Sequence, residues 1–511
     1  MAAGIDTEPV VLEAVMVIIV ELLGATIQRQ SAIIGLVMDP ITVTDRLGRW
    51  SAGRGPLYAL LAAGLRGLIE DGELPPGALL PPDRKLAVAL SVGRSTVVAA
   101  YDLLHDEGRI VRRQGSGTRV AGSPQVDPPE TTSEPMFLDL LEPRSDVISL
   151  ACAAPDRPPH ALAESYAAML PALAATTDDI GYYPSGHPAL REAVAEYYRG
   201  RGLPTEAGQI LVTTGGQQAL SLLARAFLRP GDRVLAEAPT YPGALEAFRA
   251  EAAVVCGLPP GLDGFAGAIR DQRPTLAYVI PTFQNPTGSV LSTLTRRRLA
   301  EISAAEGIPL IDDEVLAELG FPGHETPRPV AAFADTVITI GSLSKSVWGG
   351  LRVGWIRAAS PVVTKLARLR AVHDLGGNLP AQLAAAELVP RLDDLLRAQA
   401  TERRLRHNHL RAELARRIPE WEVPPVDGGQ TLWIRLPHGD GASFAQAALR
   451  HHVSILAGSG LDPTGGSERY LRLHFLHPLE TLTTAVDRLA EAWRTYRPPN
   501  RPTVTTPPLA M

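Results

Sequence analysis

Short β-rich runs alternate with helical runs from about residue 146 to 497, and this alternation limits the fold more than any other feature of the chain. The runs at 209–213, 233–236, 275–280, 309–312 and 336–340 are apolar and are separated by longer helical stretches. Strands that each return through a helical crossover lie parallel, and the crossovers cover both faces of the sheet. The expectation is an α/β domain with a mainly parallel sheet. No internal repeat interrupts the pattern.

With 511 residues the chain has room for about three folded units, at roughly 150 residues each. A net charge of −6 excludes a polycation, so any nucleic-acid site must be local. Residues 41–120 supply such a locality, with eleven basic side chains against eight acids. The next stretch, 122–135, is rich in Pro, Ser and Thr, buries too little apolar surface to fold and reads as a linker. Two cysteines, Cys152 and Cys256, build no disulfide framework, and a reducing cytoplasm is the expected compartment. No segment reads as a membrane span. The most apolar run, 10–23, falls short of the roughly 20 residues a bilayer needs, and Glu13 and Glu21 interrupt it. Residues 1–40 read as an accessory amphipathic helix or, preferably, as sequence upstream of a true start at Met38. The tail after Tyr496, rich in Pro and Thr, reads as disordered.

In the basic segment Leu57, Leu61, Leu65 and Leu68 recur at helical spacing, with Pro56 suited to a first turn. A short helix follows at 83–90, and Ser91, Val92 and Gly93 turn the chain. A third helix starts at Arg94 and sets Val97, Val98, Tyr101 and Leu104 on one face. Two helices across a short glycine-containing turn are a helix-turn-helix signature. The other face carries Arg94, Ser95 and Thr96 where recognition helices meet base edges and phosphates. Strands at 109–113 and 118–121 make a hairpin whose tip is Gln114-Gly-Ser-Gly117. An isolated pattern of this kind is more often an ordinary helical hairpin; the positive charge and the added hairpin favour DNA. With Leu80-Pro, Arg84-Lys-Leu-Ala87, Gly93-Arg-Ser-Thr-Val97, Glu107-Gly108 and Gly115-Ser-Gly-Thr118, the segment resembles the winged helix-turn-helix of GntR-type regulators. The resemblance places the backbone-contacting arginine on Arg84, the recognition-helix arginine on Arg94 and the wing glycines on Gly115 and Gly117. Pro82 stands where the family usually has Ser, a change that a first helical position tolerates.

Farther on, glycines at 215–216 follow a strand and open a helix, a geometry that favours anions but is common. Lys345 lies in Ser342-Leu-Ser-Lys345, with Arg352 seven residues later, in a chain with only three lysines. A lysine that bonds a carbonyl covalently needs a lowered pKa and an anchored partner, which hydroxyls and an arginine can hold through a phosphate. Asp313 ends a short apolar strand, Asn285 sits among turn formers, and Arg472 lies in an alternating strand, placed to fork a carboxylate. Taken singly these are solvated acids, loop residues and surface charges.

Taken in order, the motifs resemble a fold-type I pyridoxal-phosphate (PLP) aminotransferase across about 350 residues, with a smaller C-terminal α/β subdomain. They are Gly181-Tyr-Tyr, Gly215-Gly-Gln-Gln218, Pro239-Thr-Tyr-Pro-Gly243, Asn285-Pro-Thr-Gly288, Asp313, Ser342-Leu-Ser-Lys345, Arg352 and Arg472. The resemblance makes Lys345 the catalytic, Schiff-base lysine and Asp313 the partner of the pyridine nitrogen. Asn285 bonds the 3-hydroxyl and Tyr241 stacks on the ring. Gly216, Gln217, Ser342, Ser344 and Arg352 hold the phosphate, and Arg472 takes the carboxylate of an amino-acid ligand. Leu316 departs from the family, which usually has Tyr three residues after the aspartate, and puts turnover in more doubt than cofactor binding. His407, His409, His451 and His452 lack a third ligand at metal spacing, and neither HExxH nor CxxC occurs, so no metal is expected.

The combination is similar to the MocR/GabR/PdxR group of transcriptional regulators. The implied layout is a DNA-binding domain at 41–121, a linker at 122–145, an aminotransferase-like domain at 146–497 and a tail at 498–511. The group implies a cytoplasmic homodimer that binds a double-stranded DNA operator, with PLP and an amino acid or amine as effectors. An active aminotransferase carrying a DNA-binding module is the alternative.

Overall fold

The computed structural model describes residues 39–498 apart from 49, 53–54, 76–77, 114–116, 122–145 and 178, and all of Arg113 but its side chain. The N-terminal extension, the expected linker, the hairpin tip with Gly115 and most of the tail therefore lie outside the described residues. The chain divides into two compact units, 1–134 and 135–511.

In the first unit, helix Leu57–Glu70 buries Leu61, Ala62, Leu65 and Leu68, while Leu57, on the opening turn, stays exposed. Pro56 stands one place outside the helix, as its N-cap. Helices Asp83–Ala89 and Arg94–Asp106 follow, and the chain bends by 119° between them. The second buries Val97, Ala100, Tyr101 and Leu104; Val98, expected on that face, is only half-buried, and Ala100 takes the place in the core instead. Strands β1 (Ile110–Arg113) and β2 (Gly117–Val120) pair antiparallel, and Leu79 bridges to Arg119 along the outer side of β2.

The second unit begins with β3 (Ile148–Ser149) and is built on a seven-stranded sheet. Its strands are β4 (Ile210–Thr213), β5 (Arg233–Glu237), β6 (Val254–Leu258), β7 (Leu276–Val279), β8 (Leu310–Asp313), β9 (Val337–Ser342) and β10 (Gly354–Arg357). They lie in the order β4-β10-β9-β8-β7-β5-β6. All five expected runs are strands. Six strands run one way; β10 is antiparallel to both β4 and β9, so the sheet is mixed by one strand. The central strands β7, β8 and β9, and even the edge strand β4, are buried along their whole length, the pattern of a sheet covered on both faces.

A smaller α/β portion follows the 26-residue helix Leu392–Arg417. Strand β11 (Thr431–Arg435) pairs antiparallel with the last strand, β14 (Tyr470–His474), which also pairs with β13 (Leu456–Ala457); β12 (Val453–Ser454) runs parallel to β3. Helices Gly441–Arg450 and Leu479–Thr495 pack against this layer, with Phe444, Leu489 and Trp493 in its core. No single described helix is long and apolar enough to cross a membrane.

Candidate functional site

Ligands of open α/β sheets collect at the carboxyl ends of the strands, because the side chains that leave those ends project past the covering helices. Every expected cofactor residue of the large unit lies at that edge. Gly216 and Gln217 follow β4, Tyr241 follows β5, Asn285 follows β7, Asp313 ends β8, and Ser342, Ser344 and Lys345 end or follow β9. Arg352 reaches the same edge because β10 runs the opposite way, so the residue just before it returns to where β9 left.

At one corner of this edge, helix Gly216–Phe227 starts from Gly215, whose φ of 121° suits glycine alone. A Cβ on Gly215 would stand 3.3 Å from one terminal nitrogen of Arg352 and 3.5 Å from the other and from the Ser344 Oγ. Ser342 Oγ donates to Ser344 Oγ at 3.1 Å. Two hydroxyls, a guanidinium and a helix N-terminus thus converge on one small space, a donor set that matches a phosphate. Gln217 contributes there by its backbone only. Its amide side chain is engaged elsewhere, accepting from the Tyr241 hydroxyl at 3.1 Å and donating to the Gly243 carbonyl at 2.8 Å.

Asp313 is buried. It accepts from the Tyr278 hydroxyl at 2.7 Å and from the Val315 N–H at 3.1 Å. Burial pushes its carboxyl up to about 6 despite those donors, and no cation pairs with it among the described residues. A protonated ring nitrogen would supply one. Lys345 donates to the Ala153 carbonyl, and burial, with the Arg472 cation adding to it, lowers its pKa. Arg472 is buried, donates to Asn285 Oδ1 at 2.9 Å and to the Ala151 carbonyl, and leaves its Nε without a partner among the described residues. Burial holds its guanidinium down at about 10. A cavity of about 90 Å³ is lined by Lys345, Asn285, Arg472, Tyr241 and Leu316, among others. The residues present fit PLP: a lysine for its aldehyde, an acid for its ring nitrogen and a cup for its phosphate.

Sequence reasoning missed four contributors. Tyr278, on β7, reads as a core aromatic until it is seen donating to Asp313. Cys152 and Ala153 enter from the chain segment after β3. Gln430 follows a Gly pair, lines the same cavity and donates to the Lys345 carbonyl at 3.0 Å, with its Oε1 buried and unpartnered. Only the unusual polar residue before an apolar strand signalled it.

In the first unit Arg94 opens its helix with its Nε 2.7 Å from Asp83 Oδ2, leaving both terminal nitrogens without a protein partner among the described residues. The carboxylate of Asp83 is held below its usual range by that bond and by the Arg84 N–H. Arg84 and Ser95 are exposed and Thr96 is half-buried beside them. Gly117 has φ 84°, and a Cβ there would meet Leu79 Cδ1 at 2.8 Å, so this glycine is required by the packing of β2. Among the described residues no group of three or more His, Cys, Asp or Glu is placed to hold a metal. His407 packs between Phe321 and Phe475.

The profile described as aminotransferase class I and II matches residues 145–489, and that of bacterial regulatory proteins, gntR family, matches 57–120. The chain belongs to the aminotransferase class I and II family. Its head is a GntR-type DNA-binding domain, and the pair makes it a MocR-type transcriptional regulator with a PLP-dependent fold. It is similar to the HTH-type transcriptional regulator YisV of Bacillus subtilis, 30% identical over 88% of this chain and 99% of that protein. It is similar also to the probable rhizopine catabolism regulatory protein MocR of Rhizobium meliloti, 29% identical over 80% of this chain and 91% of that protein. The family's enzymes share the fold. LysN of Thermus thermophilus, an alpha-aminoadipate aminotransferase solved with N-(5'-phosphopyridoxyl)-L-leucine, superposes with a TM-score of 0.65. It is 29% identical, and the match covers 71% of this chain and 95% of that one.

Proposed function

We propose that this regulator acts as a cytoplasmic homodimer whose large domain holds PLP and reads an amino acid or amine, and whose DNA-binding domains are repositioned in response. The proposed layout keeps the DNA-binding domain at 41–121, a linker at 122–145 and the aminotransferase-like domain at 146–497. The observation that carries the reading is the convergence of Lys345, Asp313 and the cup at Gly215, Ser344 and Arg352 at one strand edge, in a chain that also has a DNA-binding unit.

PLP supplies an aldehyde that bonds amino groups covalently and a ring that accepts electrons. The chain's own residues do the rest. Lys345, with its pKa lowered, presents an uncharged amine more readily. Asp313 would hold a positive charge at the ring nitrogen, and Tyr278 donates to the carboxylate and fixes its orientation. Tyr241 would stack on the ring, and Asn285, already bonded to Arg472, would hold the 3-hydroxyl. Arg84, Arg94, Ser95, Thr96 and the wing around Gly115 and Gly117 meet DNA. Ligand and DNA then influence each other through whichever domain arrangement both favour.

The test is an absorption spectrum with added PLP, wild type beside Lys345→Ala. A visible band in wild type alone is expected; no band in either protein overturns the cofactor reading. Titration of DNA and solution scattering, with and without PLP and a panel of amines, then check the coupling. Unchanged affinity and shape throughout would refute it. A sustained turnover assay addresses the enzymatic alternative, which Leu316, in place of a phenol at the cavity wall, disfavours.

A further inference from the structure

A second cavity, about 880 Å³, lies beside the cofactor site: Lys345, Cys152 and Gln430 line both. Four basic and two acidic side chains line it. The acids are already engaged, Asp156 lying 3.9 Å from Arg157 and Glu402 pairing with Arg406. Lys345 and Arg403 remain without an anion among the described residues. Lys345 belongs to the cofactor reading; Arg403 does not.

Arg403 projects from the middle of helix Leu392–Arg417 and is only 7% exposed. Its one hydrogen bond among the described residues runs from Nη2 to the Gly320 carbonyl at 3.3 Å. Its Nε is buried with no partner, and Nη1 donates to nothing among the described residues. A buried guanidinium with no counter-charge is costly, and an anion offsets that cost most directly. The cavity is large enough for a small metabolite. The two histidines on the wall do not compete for the anion: His474 and His477 both turn to the Ser149 carbonyl, at 2.8 and 2.9 Å, and burial drives His474 down to about 3, so it stays neutral.

We propose that this chamber binds a small-molecule oxyanion, a carboxylate or a phosphate, anchored on the free donors of Arg403 and separate from both the phosphate cup at Gly215 and Arg472. The site goes beyond the cofactor reading and does not depend on it.

Inorganic phosphate and succinate are the probes, titrated by calorimetry into the full chain, PLP-loaded and cofactor-free. Comparing them shows which oxyanion the site prefers. Binding of at least one is expected in both preparations. Arg403→Gln should weaken it at least about tenfold, the loss expected when a charged donor goes, while Arg416→Gln, an exposed residue of the same helix outside the chamber, leaves it unchanged. Any binding at the cofactor's own phosphate cup or at Arg472 occurs equally in wild type and the Arg403 variants and cancels in the comparison. Should Arg403→Gln fail to fold, Arg403→Lys keeps the charge and should still shift affinity, because an ammonium does not reproduce the fork. The proposal is overturned if neither probe binds, or if the Arg403 variants bind like wild type. Failure of the cofactor reading is visible separately, as a missing absorption band, and leaves the cofactor-free titration informative.

Discussion

Replacing Asp313 by Asn removes a charge that the fold, without its ligand, holds at a disadvantage. Burial raises the carboxyl from 3.8 to about 6, although Tyr278 and the Val315 N–H both donate to it. A folded pKa above the unfolded one means that folding favours the protonated acid. The associated stability is complete below pH 3.8 and is lost as pH rises through about 6. At about 1.4 kcal/mol per unit, the loss above pH 7 is about 3 kcal/mol. Asp313→Asn keeps an acceptor for the Tyr278 hydroxyl and has no charge to desolvate. In denaturant unfolding of the cofactor-free chain, its advantage over wild type should grow from near nothing at pH 4 to about 3 kcal/mol at pH 7 and then level off. With PLP the sign reverses, because the carboxylate then has a ring cation to pair with. Losing one partner of a buried pair costs about 3–5 kcal/mol, so the variant should bind PLP at least about a hundredfold more weakly. A stability difference that does not change with pH, or cofactor affinity equal to wild type, would refute the reasoning.

Two further predictions concern the first unit. Gly117→Val forces a side chain into a left-handed backbone and against Leu79, and should destabilise the hairpin by about 1–3 kcal/mol, read as faster hydrogen exchange across residues 109–121. Arg84→Ala should weaken binding about equally for all DNA sequences and reduce the slope of log affinity against log salt by about 1, as measured by anisotropy titrations at several ionic strengths.

Hydrophobic period and turn chemistry made five strands of the large sheet and the three helices from Leu57 to Asp106 readable, since these are local signals. What stayed hidden depends on contacts distant in sequence. Strand β10 is four residues long and follows a loop, and nothing in Gly354–Arg357 says that it runs against its neighbours. The Lys345 amine meets a carbonyl 192 residues away, and Arg472 one 321 residues away. Tyr278 has the pattern of a buried strand residue, and its hydroxyl acquires a role only when β7 lies beside β8. Arg403 reads as one more charge on a polar helix until the fold buries it.

The hidden groups share a physical character that bears on regulation. Asp313, Arg472 and Arg403 are buried charge-bearing groups and Lys345 is half-buried, and none of the four is paired with an opposite charge among the described residues. A fold selected only for stability would replace them with apolar residues of similar volume, which is often neutral or stabilising. Keeping them makes the ligand-free state the less satisfied one. Ligand binding can therefore change the balance between domain arrangements by as much as the missing counter-charges are worth in one arrangement over the other. Arg472 sits at the centre of this argument, because it hydrogen-bonds to Asn285 after β7 and to Ala151 in the segment after β3, while projecting from β14. On the proposed reading, a carboxylate drawn to its Nε, unpartnered among the described residues, would pull on a residue that ties together three separate parts of the large domain, so occupancy there would be coupled to how the smaller α/β portion sits against the main sheet.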